Sequence, residues 1–98
     1  MKPWTNGRSI EIELDGGQER IEAQLLSRGL QGKHVESLAS AALRYAEEET
    51  ERLSRQLVPQ QNWAGMVVCR KHPLSGGTAW LMLKYGKQGW RLDSALFD

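Results

Sequence analysis

From Lys33 or His34 to about Leu57 the chain contains neither glycine nor proline, and a run of this kind predicts one long helix. At about 1.5 Å per residue that helix would measure roughly 37 Å, longer than most helices of globular proteins. Its apolar stripe is Val35, Leu38, Ala39, Ala42, Ala46, Leu53 and Leu57, and the alanines would let the first half sit close against a sheet. Glu49 and Thr50 interrupt the stripe, so the second half is expected to project. The acidic cluster Glu47-Glu48-Glu49 with Glu51 reads as a solvated face, because Glu48 to Arg52 and Glu51 to Arg55 are four residues apart in the order that favours helical ion pairs.

Around this helix the pattern changes period. Ile10, Ile12 and Leu14 alternate with Ser9, Glu11 and Glu13, which puts the three apolar side chains on one face of a strand. Asp15-Gly16-Gly17 then supplies a turn. Ile21, Ala23 and Leu25 alternate again and suggest a return strand ending near Leu26 or Ser27. The rival reading makes residues 18–28 a helix, since Ile21, Leu25 and Leu26 also fit helical spacing; the hairpin is preferred. After Val58-Pro59 three strands are expected, Ala64 to Lys71, Thr78 to Tyr85 and Trp90 to Phe97. They are separated by the loops His72-Pro73-Leu74-Ser75-Gly76-Gly77 and Gly86-Lys87-Gln88-Gly89. The expected fold is therefore α+β, an antiparallel sheet in the order ββ-α-βββ packed on one long helix. With 98 residues and 40% hydrophobic content there is material for a single domain, 1–98.

Met66-Val67-Val68-Cys69 and Trp80-Leu81-Met82-Leu83 are apolar at successive positions, so both faces of these strands need cover. One face meets the helix. The other calls for the N-terminal segment around Trp4 or a second copy of the protein, and the homodimer is the preferred expectation. The single cysteine, Cys69, rules out an intramolecular disulfide and suits a reducing compartment. Met1 to Arg8 lack the apolar core of a signal peptide, and no stretch approaches the ~20 apolar residues that span a bilayer. The expected location is cytoplasmic, without membrane contact.

Residues 1–59 carry eight basic and ten acidic side chains, whereas residues 60–98 carry five basic and two acidic ones together with three of the four tryptophans. Trp63, Trp80, Trp90 and Tyr85, with Arg70, Lys71, Lys84, Lys87 and Arg91, are the candidate contact residues for a partner or for nucleic acid. Aromatic rings could stack on unpaired bases while the cations follow the phosphates. The same rings also serve as core or interface anchors.

Catalytic sets are harder to assemble. Cys69 has Arg70, Lys71 and His72 beside it, but Arg70 points away from the thiol in an extended strand, and an apolar run ending in cysteine reads as core packing. Cys69 and His72 have a C-x-x-H spacing with only His34 as a further strong nitrogen ligand, short of the four that structural zinc takes. His34 itself reads as a surface residue at the helix start. Ser75-Gly76-Gly77-Thr78 lacks the longer phosphate-loop pattern. No metal, no cofactor and no enzymatic activity are expected.

Two stretches resemble known families. With residues 18–28 helical, the strand Ile10 to Leu14 followed by two helices resembles the ribbon-helix-helix DNA-binding antitoxins and repressors, with Ala41-Ala42-Leu43-Arg44-Tyr45-Ala46-Glu47-Glu48 similar to the end of the second helix. That resemblance implies a dimer reading DNA with Ser9, Glu11 and Glu13, two of them carboxylates facing phosphates. Gly89 to Phe97 is similar to the last strand of domains like nuclear transport factor 2. The expectation that follows from the residues is a non-enzymatic protein-interaction or regulatory module, self-associating, that offers sheet and tryptophan surface to a macromolecular partner. The alternative is nucleic-acid binding through the basic aromatic segment or a ribbon-helix-helix dimer.

Overall fold

The computed structural model describes residues 7–97. In chain order they form β1 (Gly7–Glu13), α1 (Gln18–Ser27), α2 (Gly32–Arg55), a 3-10 turn (Gln60–Asn62), β2 (Val67–Leu74), β3 (Gly77–Gly86) and β4 (Gly89–Phe97). The strands make one antiparallel sheet in the order β1-β4-β3-β2. The class is α+β, as expected, but the order is β-α-α-βββ.

The second strand expected at residues 18–27 is a helix. Ile21 and Leu25 are both fully buried while Ala23, which alternation would turn inward, is exposed. Residues 21 and 25 lie on one face under either period, so alternation alone misleads here. Gly16 and Gly17 turn the chain at φ 87° and 90°, conformations a side chain would strain. The Gly17 carbonyl then accepts the first helical hydrogen bond, from Ile21 N–H at 3.2 Å. Gln18 Nε2 donates to Glu22 Oε2 at 2.9 Å, one turn on.

In α2 the residues Val35, Leu38, Ala39, Ala42, Ala46 and Leu53 are buried, as the stripe requires. The second half of α2 is seated, however, and does not project. Trp90 Nε1 donates to Thr50 Oγ1 at 2.9 Å, and Trp63 Nε1 donates to the Val58 carbonyl at 3.0 Å. Leu57 leaves the stripe altogether. The helix has ended at Arg55, and Leu57 sits at φ 58° and 86% exposed. Val58 N–H donates back to the Leu53 carbonyl at 3.1 Å, closing a Schellman-type reversal.

β2 continues through His72, Pro73 and Leu74, which the sequence assigns to a loop. Leu74 pairs with Gly77, so the turn shrinks to Ser75-Gly76. Pro73 is tolerated because β2 is an edge strand. Two irregularities tune the sheet. Glu11 (φ 53°) is an extra residue of β1 against β4, and Asp93 is an extra residue of β4 against β3. The second shifts the inward set of β4 from Trp90 and Leu92 to Ala95, which a strict two-residue alternation would not permit. Among the described residues no helix is long and apolar enough to cross a membrane. Trp4, one of the two expected covers for the sheet, lies outside the described residues.

Candidate functional site

The two sides of the sheet differ. On the helix side Ala79, Leu81 and Leu83 of β3 are fully buried, so the alternate residues Trp80, Met82 and Lys84 face away from the helices. The cross-strand register extends that second face into rows. Lys71, Trp80 and Leu96 align, then Cys69, Met82, Ser94 and Ser9, then Val67, Lys84, Arg91 and Glu13. Trp80, Met82 and Leu96 are only half-buried, Val67 is 52% exposed, and Cys69 is exposed. The core position expected for Cys69 is therefore replaced by one on this face, which no described helix or strand covers. There it points to the opposite side of the sheet from Arg70 and His72, so Cys69 and His72 cannot share a metal ion. Among the described residues no three His, Cys, Asp or Glu side chains group as metal ligands. Lys71 Nζ lies 5.6 Å from the centre of the Trp80 ring, and Arg91 pairs with Asp93 at 3.3 Å. The face is an apolar centre rimmed by charges of both signs.

The nine residues singled out in the sequence divide between the two sides, with Trp80 in the apolar centre of the outward face. Lys71, Lys84 and Arg91 flank the uncovered apolar centre, and Lys87 is exposed in the β3–β4 turn. Trp63, Tyr85 and Trp90 belong to the helix side. Tyr85 stands edge-on between the two indoles, with centroids 5.3 Å from Trp63 and 5.1 Å from Trp90, and its hydroxyl accepts from Gln60 Nε2 at 2.9 Å. Trp63 and Trp90 are buried, so these rings anchor the lower half of α2 and offer no free face to a stacking base.

Arg70 also turns toward the helices. It donates to Glu48 Oε1 at 2.6 Å and to Glu49 Oε2 at 3.1 Å, and its guanidinium lies 4.3 Å from the centre of the Tyr45 ring. The hydrogen bond to Glu48 raises the Arg70 pKa above its ordinary value against the opposing effect of burial. The acidic cluster is thus not simply a solvated face. Glu49 is buried, and Arg52 pairs with it at 2.8 Å instead of with Glu48.

Above this ion cluster lies a polar seam that sequence reasoning missed. Ser37 Oγ is 2.8 Å from Nε2 of the buried His72, and Tyr45 Oη is 3.2 Å from its Nδ1. Tyr45 donates to the Lys71 carbonyl at 3.2 Å, while Arg44 donates to Tyr45 Oη at 3.3 Å. One proton arrangement satisfies every group. Tyr45 gives its proton to the carbonyl and accepts from His72 Nδ1–H, and His72 Nε2 accepts from Ser37. Ser37 and Tyr45 are eight residues apart on one helix face, and His72 alternates with Arg70 and Val68 on the inward side of β2. The signal was readable only if β2 was extended through Pro73. A serine beside an imidazole invites a nucleophilic reading, but Ser37 lies beyond the first four residues of α2. The backbone N–H groups around it are spent within the helix and cannot stabilise an oxyanion. The seam joins an edge strand to a helix.

No family model, no curated protein and no solved structure matches the chain.

Proposed function

We propose that this chain is a non-enzymatic protein-interaction module of regulatory type, which docks and self-associates through the uncovered face of its sheet. The observation that carries this reading is the adjacency of Trp80, Met82 and Leu96 on a face that neither helix covers. Contiguous apolar surface of this kind, rimmed by polar groups, marks interaction sites. Each square ångström removed from water is worth about 25 cal/mol, and Trp80, Met82 and Leu96 each keep part of their surface exposed beside the exposed Val67. The chain keeps Trp63 and Trp90 for its own core and leaves Trp80 to the outside, consistent with an anchor for a partner. Charge favours protein over nucleic acid as that partner. Glu13 and Asp93 share the face with Lys71, Lys84 and Arg91, and carboxylates beside the cations would repel a phosphate backbone.

The test is a concentration series of methyl and indole spectra, from about 10 µM to about 500 µM protein. Signals of Met82, Trp80 and Leu96 should move together with concentration while those of Leu38 and Ala42 stay fixed. Concentration-independent spectra across the whole range would remove self-association from this reading.

A further inference from the structure

Resting on the reading of the uncovered face as an interaction surface, we infer that its occupant is a second copy of this chain, related by a twofold axis that runs parallel to the strands. The inference comes from the distribution of charge across the face. The half formed by β2 and β3 presents Lys71 and Lys84 and no carboxylate. The half formed by β1 and β4 presents Glu13 and Asp93, and beside them Glu11, whose carboxylate accepts from the outward-facing Ser9 at 3.3 Å. Its one cation, Arg91, is already matched by Asp93 at 3.3 Å. The face is therefore basic on one side and acidic on the other, with Trp80, Met82 and Leu96 between.

An isologous interface must satisfy this pattern with itself. Two sheets packed face to face lie about 10 Å apart, with strands within about 30° of alignment. A twofold along the strands sets β2 of one copy over β1 of the other and β3 over β4. The basic half then meets the acidic half twice, and Trp80 and Met82 lie over the partner's Leu96 and the partner's Ser94. Lys84 lies over the partner's Arg91, whose charge the partner's Asp93 already offsets, with the partner's Glu13 on the neighbouring strand. A twofold across the strands would instead set β2 on β2 and β3 on β3, with Lys71 and Lys84 over the same half of the other copy. Like charges brought together in this way are costly once water is excluded.

Two double variants test the arrangement, each checked for native secondary structure by circular dichroism. Lys71→Glu with Lys84→Glu makes the whole face acidic, and Glu11→Lys with Glu13→Lys makes it basic. In sedimentation velocity each variant alone should dimerise about tenfold or more weakly than the wild type, and an equimolar mixture should recover the dimer. Recovery should weaken as salt is raised. If Glu13→Lys beside Arg91 impairs folding, Glu13→Gln with Glu11→Lys takes its place. Dimerisation of either variant at wild-type strength overturns the arrangement, and a wild type that stays monomeric overturns the choice of occupant. Met82→Glu separates this proposal from the reading beneath it. If Met82→Glu abolishes association while the charge variants do not weaken it, only the twofold fails; if Met82→Glu associates like the wild type, the face itself is not the interface.

Discussion

Ser37 Oγ and His72 Nε2 stand 2.8 Å apart, and this contact, with Tyr45 on the other ring nitrogen at 3.2 Å, ties β2 to α2. Because β2 is an edge strand, its neighbours in the sheet hold it on one side only. The seam to α2 supplies a second attachment, and the ion cluster of Arg70 with Glu48 and Glu49 supplies a third. A firmly held β2 keeps Val67, Cys69 and Lys71 in register with Trp80 and Met82 on the face proposed for docking.

The seam gives stability a pH dependence. Burial first, and then the Arg44 guanidinium, push the His72 pKa below its ordinary value near 6.5. The folded imidazole stays neutral where the unfolded one takes up a proton, so its contribution is complete above about pH 6.5 and is lost as pH falls through the depressed folded value. Over that window this one group should remove up to about 1.4 kcal/mol of stability per pH unit. His72→Gln should cost about 1–2 kcal/mol at neutral pH and should flatten the fall on acidification. Urea denaturation of both proteins at several pH values reads the difference; parallel curves would contradict the assignment.

Leu57 offers a second test. It holds φ 58° at the C-terminal reversal of α2 with its side chain 86% exposed, a conformation that costs a β-carbon about 1 kcal/mol. Leu57→Gly should raise stability by about 0.5–1 kcal/mol in urea. A loss would mean that the leucine makes contacts worth more than its strain.

How far this architecture could be read in advance depended on whether one residue pattern served one structure. Lys33 to Arg55 admits only a helix, and the successive apolar residues Trp80 to Leu83 admit only a strand with apolar residues on both faces. Ile21 and Leu25 serve either period. The choice was made by the positive φ of Gly16 and Gly17 at the start of the helix and by β4 pairing with β1, which is remote from it. His72 was hidden because Pro73 resembles a loop residue until the strand is known to lie at an edge. The tryptophans were equally ambiguous, since burial of Trp63 and Trp90 and exposure around Trp80 follow from the face each occupies. The turn of Ala95 inward depends on the extra residue Asp93, which no alternation pattern announces.

The distribution of the cations also predicts how the protein treats nucleic acid. With Trp63 and Trp90 buried and Glu13 and Asp93 beside Lys84 and Arg91, labelled single- and double-stranded oligonucleotides should show no anisotropy change at moderate salt. Any binding at low salt should vanish as salt rises. Micromolar binding that is lost in Lys84→Glu would contradict the protein-interaction reading.

The most direct test of that reading is sedimentation equilibrium of the wild type and of Met82→Glu, from about 1 µM to about 200 µM. The wild type should form a reversible dimer and Met82→Glu a folded monomer, because a carboxylate at the centre of the apolar face would be buried unpaired in the interface. A wild type that remains monomeric throughout, or a Met82→Glu variant that associates equally well, would contradict it.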